Sequence, residues 1–258
     1  MTMHCLRAGA GAPALVFVHG FGCAHEDWRM QVEHFSGTQQ VLACDLRGHG
    51  RTPGAPTECT IERYGADVAE LLGTLESPAV LVGHSMGCRV VLEANRELPG
   101  RVAALALVDG SRMGTGDPAQ ADDAMRAAIE FTGYPAFAEA LFSQMFFKPG
   151  ARAARIIERA KRLPAGVGAA LFPAMVRWDA AQMEAALSAV RAPLLAIQST
   201  TLSADRKRVA LRSGETTPWL ELVRGRVPGA RIEIVQGVGH FAQIEAAERV
   251  NALIASLL

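Results

Sequence analysis

Six short runs of this chain are apolar at odd and even positions alike: residues 14–20 (ALVFVHG), 40–46 (QVLACDL), 79–85 (AVLVGHS), 104–110 (ALALVDG), 193–199 (PLLAIQS) and 231–237 (RIEIVQG). A strand with one wet face alternates apolar and polar residues. One that does not is buried on both faces, as in a parallel sheet covered by helices on each side. Helical patterns separate most of the runs. Residues 61–77 place Ile61, Tyr64, Val68, Leu71, Leu72 and Leu75 on one side, and residues 86–98 follow the third run directly. Strand and helix in alternation define an α/β chain with a doubly wound, mostly parallel central sheet flanked by helices.

The interval 112–190 breaks this rhythm with four or five helical segments and no convincing strand, punctuated by GDP, GYP, KPG and LPAG. Residues 1–111 and 191–258 therefore form the core. Residues 112–190 form an all-helical cap inserted after the strand that ends near Asp109, projecting from the carboxyl edge of the sheet where open α/β folds bind ligands. A chain of 258 residues accommodates one such core with its insertion.

The glycines and the serine of Gly83-His84-Ser85-Met86-Gly87 stand where the third run hands over to a helix. This is G-x-S-x-G in a strand–turn–helix setting, which holds a serine hydroxyl above the sheet and points helix N-terminal N–H groups at a developing oxyanion. A serine hydroxyl needs a base within hydrogen-bond reach. His240 lies in a glycine-flanked loop between the last run and the terminal helix, where a base reaching the same edge belongs. His4 and His34 read as surface residues. His25 opens HEDWR, which fails the H-E-x-x-H zinc pattern.

Further motifs stand in order around these two residues: FVHGFG at 17–22, EDW at 26–28 and DLRGHGRT at 45–52. With them the chain resembles the α/β-hydrolases of the helical-cap type, over nearly its whole length except the cap. The resemblance implies an oxyanion hole formed by the backbone N–H groups of Phe21 and Met86. Asp45, Arg47 and His49 of DLRGHG read as structural, fixing a loop under the sheet. The resemblance also implies a carboxylate that orients His240. Two departures follow. Cys88 stands where the family commonly has glycine and reads as helix packing. The family's usual acid position, counted from Pro193, holds Leu202. The acid is then Asp109, at the end of the strand after the elbow helix, or Asp205, which sits beside Arg206, Lys207 and Arg208. Both alternatives stay open.

The expected activity is a serine hydrolase cleaving a carboxylic ester or lactone through an acyl-enzyme. The alternatives are C–C bond hydrolysis or perhydrolysis with the same triad, and a non-catalytic ligand-binding receptor or scaffold on this fold. Cap residues such as Phe131, Phe137, Phe142, Met145, Phe172 and Trp178 are candidates to line an apolar pocket.

Composition closes off other classes. With 26 basic and 26 acidic residues the formal charge is zero, which disfavours nucleic acid as a partner, and the basic runs at 152–162 and 206–212 read as solvated faces. No apolar run approaches the roughly 18 residues of a membrane span. The start of the chain lacks the pattern of a secretory signal. Five cysteines without C-x-x-C spacing suit a reducing cytoplasm. GAGAPA at 9–14 and GTGDPA at 114–119 lack the strand–helix context of a dinucleotide site, and no metal-spaced cluster appears, so neither cofactor nor metal is expected. The oligomeric state is left open.

Overall fold

The computed structural model describes residues 3–148, 150–203 and 207–258. Seven strands form the central sheet: β1 (Cys5–Ala8), β2 (Leu15–Val18), β3 (Val41–Cys44), β4 (Ala79–His84), β5 (Val102–Val108), β6 (Leu194–Gln198) and β9 (Arg231–Ile234), in spatial order β1-β3-β2-β4-β5-β6-β9. All neighbours are parallel except β1, which pairs with β3 antiparallel, Cys5 opposite Cys44. A hairpin of β7 (Thr200–Leu202) and β8 (Arg208–Ala210) stands apart at the carboxyl edge.

The double-sided apolar pattern explains the layering. In β2, Val16 and Val18 enter one core while Leu15 and Phe17 enter the other; in β5, Leu105 and Leu107 oppose Ala104, Ala106 and Val108. Each fully buried large side chain stabilises the fold by about 1.5–3 kcal/mol. One face is covered by α2 (Ile61–Gly73) and α3 (Met86–Glu97), the other by α1 (Arg29–Phe35), α10 (Ala242–Glu245) and α11 (Ala247–Ala255), and α9 (Pro218–Arg226) precedes β9. The six residues predicted on one side of α2 and its C-terminal turn are all buried. Thr60 starts that helix by accepting the Arg63 N–H on its side chain.

Five helices lie between β5 and β6: α4 (Pro118–Thr132), α5 (Tyr134–Ser143), α6 (Ala151–Lys161), α7 (Ala165–Ala181) and α8 (Met183–Ser188). Arg89 of α3 and Asp179 of α7 clamp this insertion to the core through two hydrogen bonds of 2.7 and 2.6 Å, both side chains being buried. Trp178 adds an Nε1–H donated to Glu93 at 3.3 Å.

Three strands escaped the sequence pattern, each for a physical reason. β1 is a four-residue edge strand with two exposed side chains, and β7 and β8 have three residues each, too short to display a period. No helix among the described residues is long and apolar enough to cross a membrane.

Candidate active site

Ser85 follows the last residue of β4 and precedes the first of α3, with φ 53° and ψ −112°. A non-glycine residue at positive φ costs of order 1–3 kcal/mol and persists only where its surroundings enforce it. They do so here. A Cβ on Gly83 would lie 2.3 Å from the Gly87 carbonyl oxygen, and one on Gly87 would lie 2.3 Å from that of Val18. The Ser85 N–H is donated to Val108 O at 2.9 Å. The turn can close only with both glycines, and it presents Ser85 Oγ to a cavity of about 410 Å³ at the carboxyl edge of the sheet.

His240 reaches that hydroxyl, its Nε2 lying 2.8 Å from Ser85 Oγ. Three groups hold it there. Its N–H is donated to Met145 O of the insertion at 2.7 Å, and its carbonyl accepts the Nε2–H of His84 at 2.8 Å. Phe241 packs against the rings of both histidines. His84 is thus a positioning residue for the candidate base. Burial pushes its imidazole down to about 4, so it stays neutral as it donates.

The Met86 N–H is the first of α3 and has no acceptor within the helix. The opposite wall is the turn carrying Gly20 and Phe21, which line the same cavity. His49 fixes this turn, accepting the Gly22 N–H on Nε2 at 3.2 Å and donating from Nδ1 to Arg47 O at 3.0 Å. Arg47 is held by Asp67 (Nη2 to Oδ1, 2.8 Å). Asp45 accepts the N–H groups of His25 and Arg51 at 2.8 and 2.9 Å. These three residues of DLRGHG brace the loop under the site, the structural role expected of them. Cys88 packs its Sγ against Gly83 O and Val108 O at 3.2 and 3.5 Å, and burial pushes its thiol up to about 12, so it is no nucleophile.

The two candidate acids fare differently. Asp205 lies outside the described residues. Asp109, fully buried with φ 48°, takes its hydrogen bonds from Ser199 and Thr200 rather than from the His240 ring. Its Oδ1 accepts the N–H groups of Ser199 and Thr200 at 3.0 and 3.1 Å, and its Oδ2 meets Ser199 Oγ. Ser199 Oγ also lies 2.6 Å from Gly239 O, so Asp109 reaches the His240 loop through Ser199. Burial outweighs these hydrogen bonds and pushes the carboxyl up to about 6.

What faces His240 Nδ1 is Arg208. Its Nη1 lies 3.0 Å from Nδ1 and 2.9 Å from Thr200 Oγ1. The sequence pattern placed Arg208 in a solvated basic run, which the structure corrects. Side chains alternate along β8, so Val209 turns to solvent and Arg208 turns inward to the cavity. A guanidinium has only donors, so Nδ1 must be the bare nitrogen and the ring proton sits on Nε2. Burial and then the Arg208 charge drive the His240 pKa well below the usual histidine range.

Above the serine the wall is apolar, with Phe137, Leu141, Phe142, Met145, Phe172 and Met175 contributed by the insertion. Phe131 is exposed and Trp178 is buried on the face of α7 that meets Glu93; neither lines the cavity. Leu141 and Met125 line it without having been singled out, since one apolar helical residue looks like another in sequence.

A larger cleft of about 1550 Å³, lined by Arg51, Arg152, Arg155 and Arg159 among others, opens beyond Cys23 and includes neither Ser85 nor His240. Elsewhere the fold brings His4, expected at the surface, together with His25 and Asp45, their ligand atoms within 4.8 Å of one another. Asp45 is already occupied there by backbone N–H groups and by His25 Nδ1 at 2.9 Å, the pattern of a hydrogen-bonded brace.

Residues 15–253 match the model of the alpha/beta hydrolase family. A structure described as a thermophilic esterase from Thermogutta terrifontis superposes with a TM-score of 0.81 at 23% identity, covering 98% of this chain and 92% of that one. Est816, described as an N-acyl homoserine lactone degrading enzyme, superposes with a TM-score of 0.76 at 25% identity, covering 99% and 96%. In sequence the chain is 28% identical over 264 residues to the dihydrolipoyllysine-residue acetyltransferase component of an acetoin cleaving system from Pseudomonas putida, covering 97% of this chain and 64% of the relative. It spans between 41% and 64% of the length of three curated relatives, this one among them.

Proposed function

The chain belongs to the alpha/beta hydrolase family, and from that premise we propose that it is a serine hydrolase of a small carboxylic ester or lactone. The observation that carries the proposal is the 2.8 Å approach of His240 Nε2 to Ser85 Oγ at the floor of a largely apolar cavity.

In the proposed reaction Ser85 Oγ attacks the acyl carbonyl while His240 Nε2 takes its proton. The N–H groups of Phe21 and Met86 hold the oxyanion, each contributing of order 3 kcal/mol to transition-state stabilisation. His240 returns the proton to the leaving oxygen, and water, deprotonated by the same nitrogen, releases the acid from the acyl-enzyme. Nε2 can act this way only when the neutral ring carries its proton at Nδ1. Asp109 is the proposed acid, stabilising the imidazolium by its charge and holding the His240 loop through Ser199 and Gly239 O. The helical insertion is the proposed cap, its apolar side chains receiving the acyl or ring portion of the substrate. A lactone-degrading neighbour of nearly the same length supports this substrate class.

The test is turnover of a 4-nitrophenyl ester by the wild type and by Ser85→Ala. The variant keeps the fold and loses hydrolysis. Ester hydrolysis persisting in Ser85→Ala overturns the proposal.

A further inference from the structure

Among the described residues three arginines line the cavity that holds Ser85, and they are not equivalent. Arg89 is matched by Asp179 at 2.6 Å and Arg112 by Glu184 at 2.9 Å. Arg208 forms no ion pair with a carboxylate among the described residues; its Nη1 donates to His240 Nδ1 and to Thr200 Oγ1, and the Thr200 hydroxyl in turn reaches the buried Asp109 Oδ1 at 3.3 Å, so its only acidic counterpart stands one residue removed and outside the cavity lining. No acidic side chain among the described residues lines the cavity, and most of its wall is hydrocarbon. A guanidinium there is weakly screened, so it holds an anion more firmly than it would in water.

The same guanidinium blocks the base. While it donates to Nδ1, the imidazole proton is confined to Nε2, and Ser85 Oγ can only accept it. The arrangement is a resting one. It becomes competent when Arg208 leaves Nδ1 and the ring's single proton moves from Nε2 to Nδ1, a tautomer change that neither gains nor loses a proton. What would draw the guanidinium away is a better acceptor inside the cavity.

We infer that Arg208 makes this hydrolase selective for esters or lactones bearing a second, free carboxylate, because that carboxylate takes the guanidinium from His240 Nδ1 and thereby frees the base. Recognition and activation are one exchange of hydrogen bonds. A neutral ester offers Arg208 nothing and turns over only in the fraction of chains whose guanidinium has left Nδ1 unaided, so it reacts more slowly. The inference rests on the serine-hydrolase reading above.

The experiment compares two 4-nitrophenyl esters of adipic acid, one with its second carboxyl free and one with it methylated, on the wild type, Arg208→Gln and Arg208→Lys. A charged hydrogen bond gained at the site corresponds to a preference of about 10- to 100-fold in kcat/KM for the free acid in the wild type. In Arg208→Gln the preference disappears in two ways: KM for the free acid rises, and kcat for the methylated ester rises because Nδ1 is released. Arg208→Lys keeps part of the preference through its charge. A direct readout accompanies these rates: nitrogen NMR of His240 in the wild type, which shifts from the Nε2–H to the Nδ1–H form when adipate itself is added and does not shift in Arg208→Gln. Equal kcat/KM for the two esters in the wild type overturns the inference while leaving the hydrolase reading intact. So does a preference that survives in Arg208→Gln. If neither ester is hydrolysed and a fluorophosphonate leaves Ser85 unmodified, the hydrolase reading fails and the inference with it.

Discussion

Arg89 in the elbow helix and Asp179 in the helical insertion face each other fully buried, joined by two hydrogen bonds, and Asp179 Oδ2 also accepts the Met113 N–H at 2.7 Å. The helix that begins at the nucleophile is therefore bolted to the cavity's roof. Removing one partner of a buried pair leaves the other charge uncompensated, at a cost of about 3–5 kcal/mol. Asp179→Ala loses that much in urea unfolding; a loss below about 1 kcal/mol would show that the clamp carries little.

The elbow glycines give a second prediction. A Cβ on Gly83 meets the Gly87 carbonyl at 2.3 Å, a backbone contact with no flexible end to yield. Gly83→Ala loses about 1–3 kcal/mol or more of stability, the range for forced overpacking, and activity falls with it. Wild-type stability in Gly83→Ala would mean that the turn is looser than described.

Acid destabilises this fold, and the sign follows from its buried histidines. Burial holds His19 at about 4, His49 at about 3, His84 at about 4 and His240 well below its ordinary value. A lowered folded pKa means that below about pH 6.5 the unfolded chain binds protons that the folded one refuses, at roughly 1.4 kcal/mol per pH unit for each histidine. Asp109, raised to about 6, acts oppositely: its contribution is present at low pH and is lost as pH rises through that value. Four histidines outweigh one carboxyl, so urea unfolding at pH 5 finds the protein less stable than at pH 7. Equal stability at the two pH values contradicts this balance.

Phe172 of the insertion meets Phe21, on the turn opposite the serine, and Phe137, also of the insertion, edge to face, with ring centroids 5.0 and 4.9 Å apart. Phe172→Ala enlarges the acyl side of the cavity and shifts the decanoate-to-butyrate ratio of 4-nitrophenyl ester hydrolysis upward by about tenfold or more. An unchanged ratio would remove this wall from the acyl site.

The sequence displayed what is periodic or sterically compulsory. Runs such as 79–85 are apolar on both faces because both faces are buried, and Gly83 and Gly87 flank Ser85 because no side chain fits there. His240 was legible from its loop and its order along the chain. Interactions that depend on distant segments meeting were not legible. Arg208 looks like its basic neighbours until the pleat of a three-residue strand turns it inward, and Asp179 is one acid among many until α7 lies over α3. The role of His84 was not legible either, because its bond to the His240 carbonyl joins residues 156 positions apart. The family resemblance implies a carboxylate for His240, and a guanidinium stands at its Nδ1, brought there by a strand too short to show a pattern.

Whether Ser85 is the nucleophile that His240 activates is read by intact-protein and peptide mass spectrometry after treatment with a fluorophosphonate. The expected result is one adduct per chain, on the peptide containing Ser85, absent in Ser85→Ala and strongly slowed in His240→Ala. An adduct on another residue, or labelling undiminished in Ser85→Ala, would contradict Ser85 as the nucleophile.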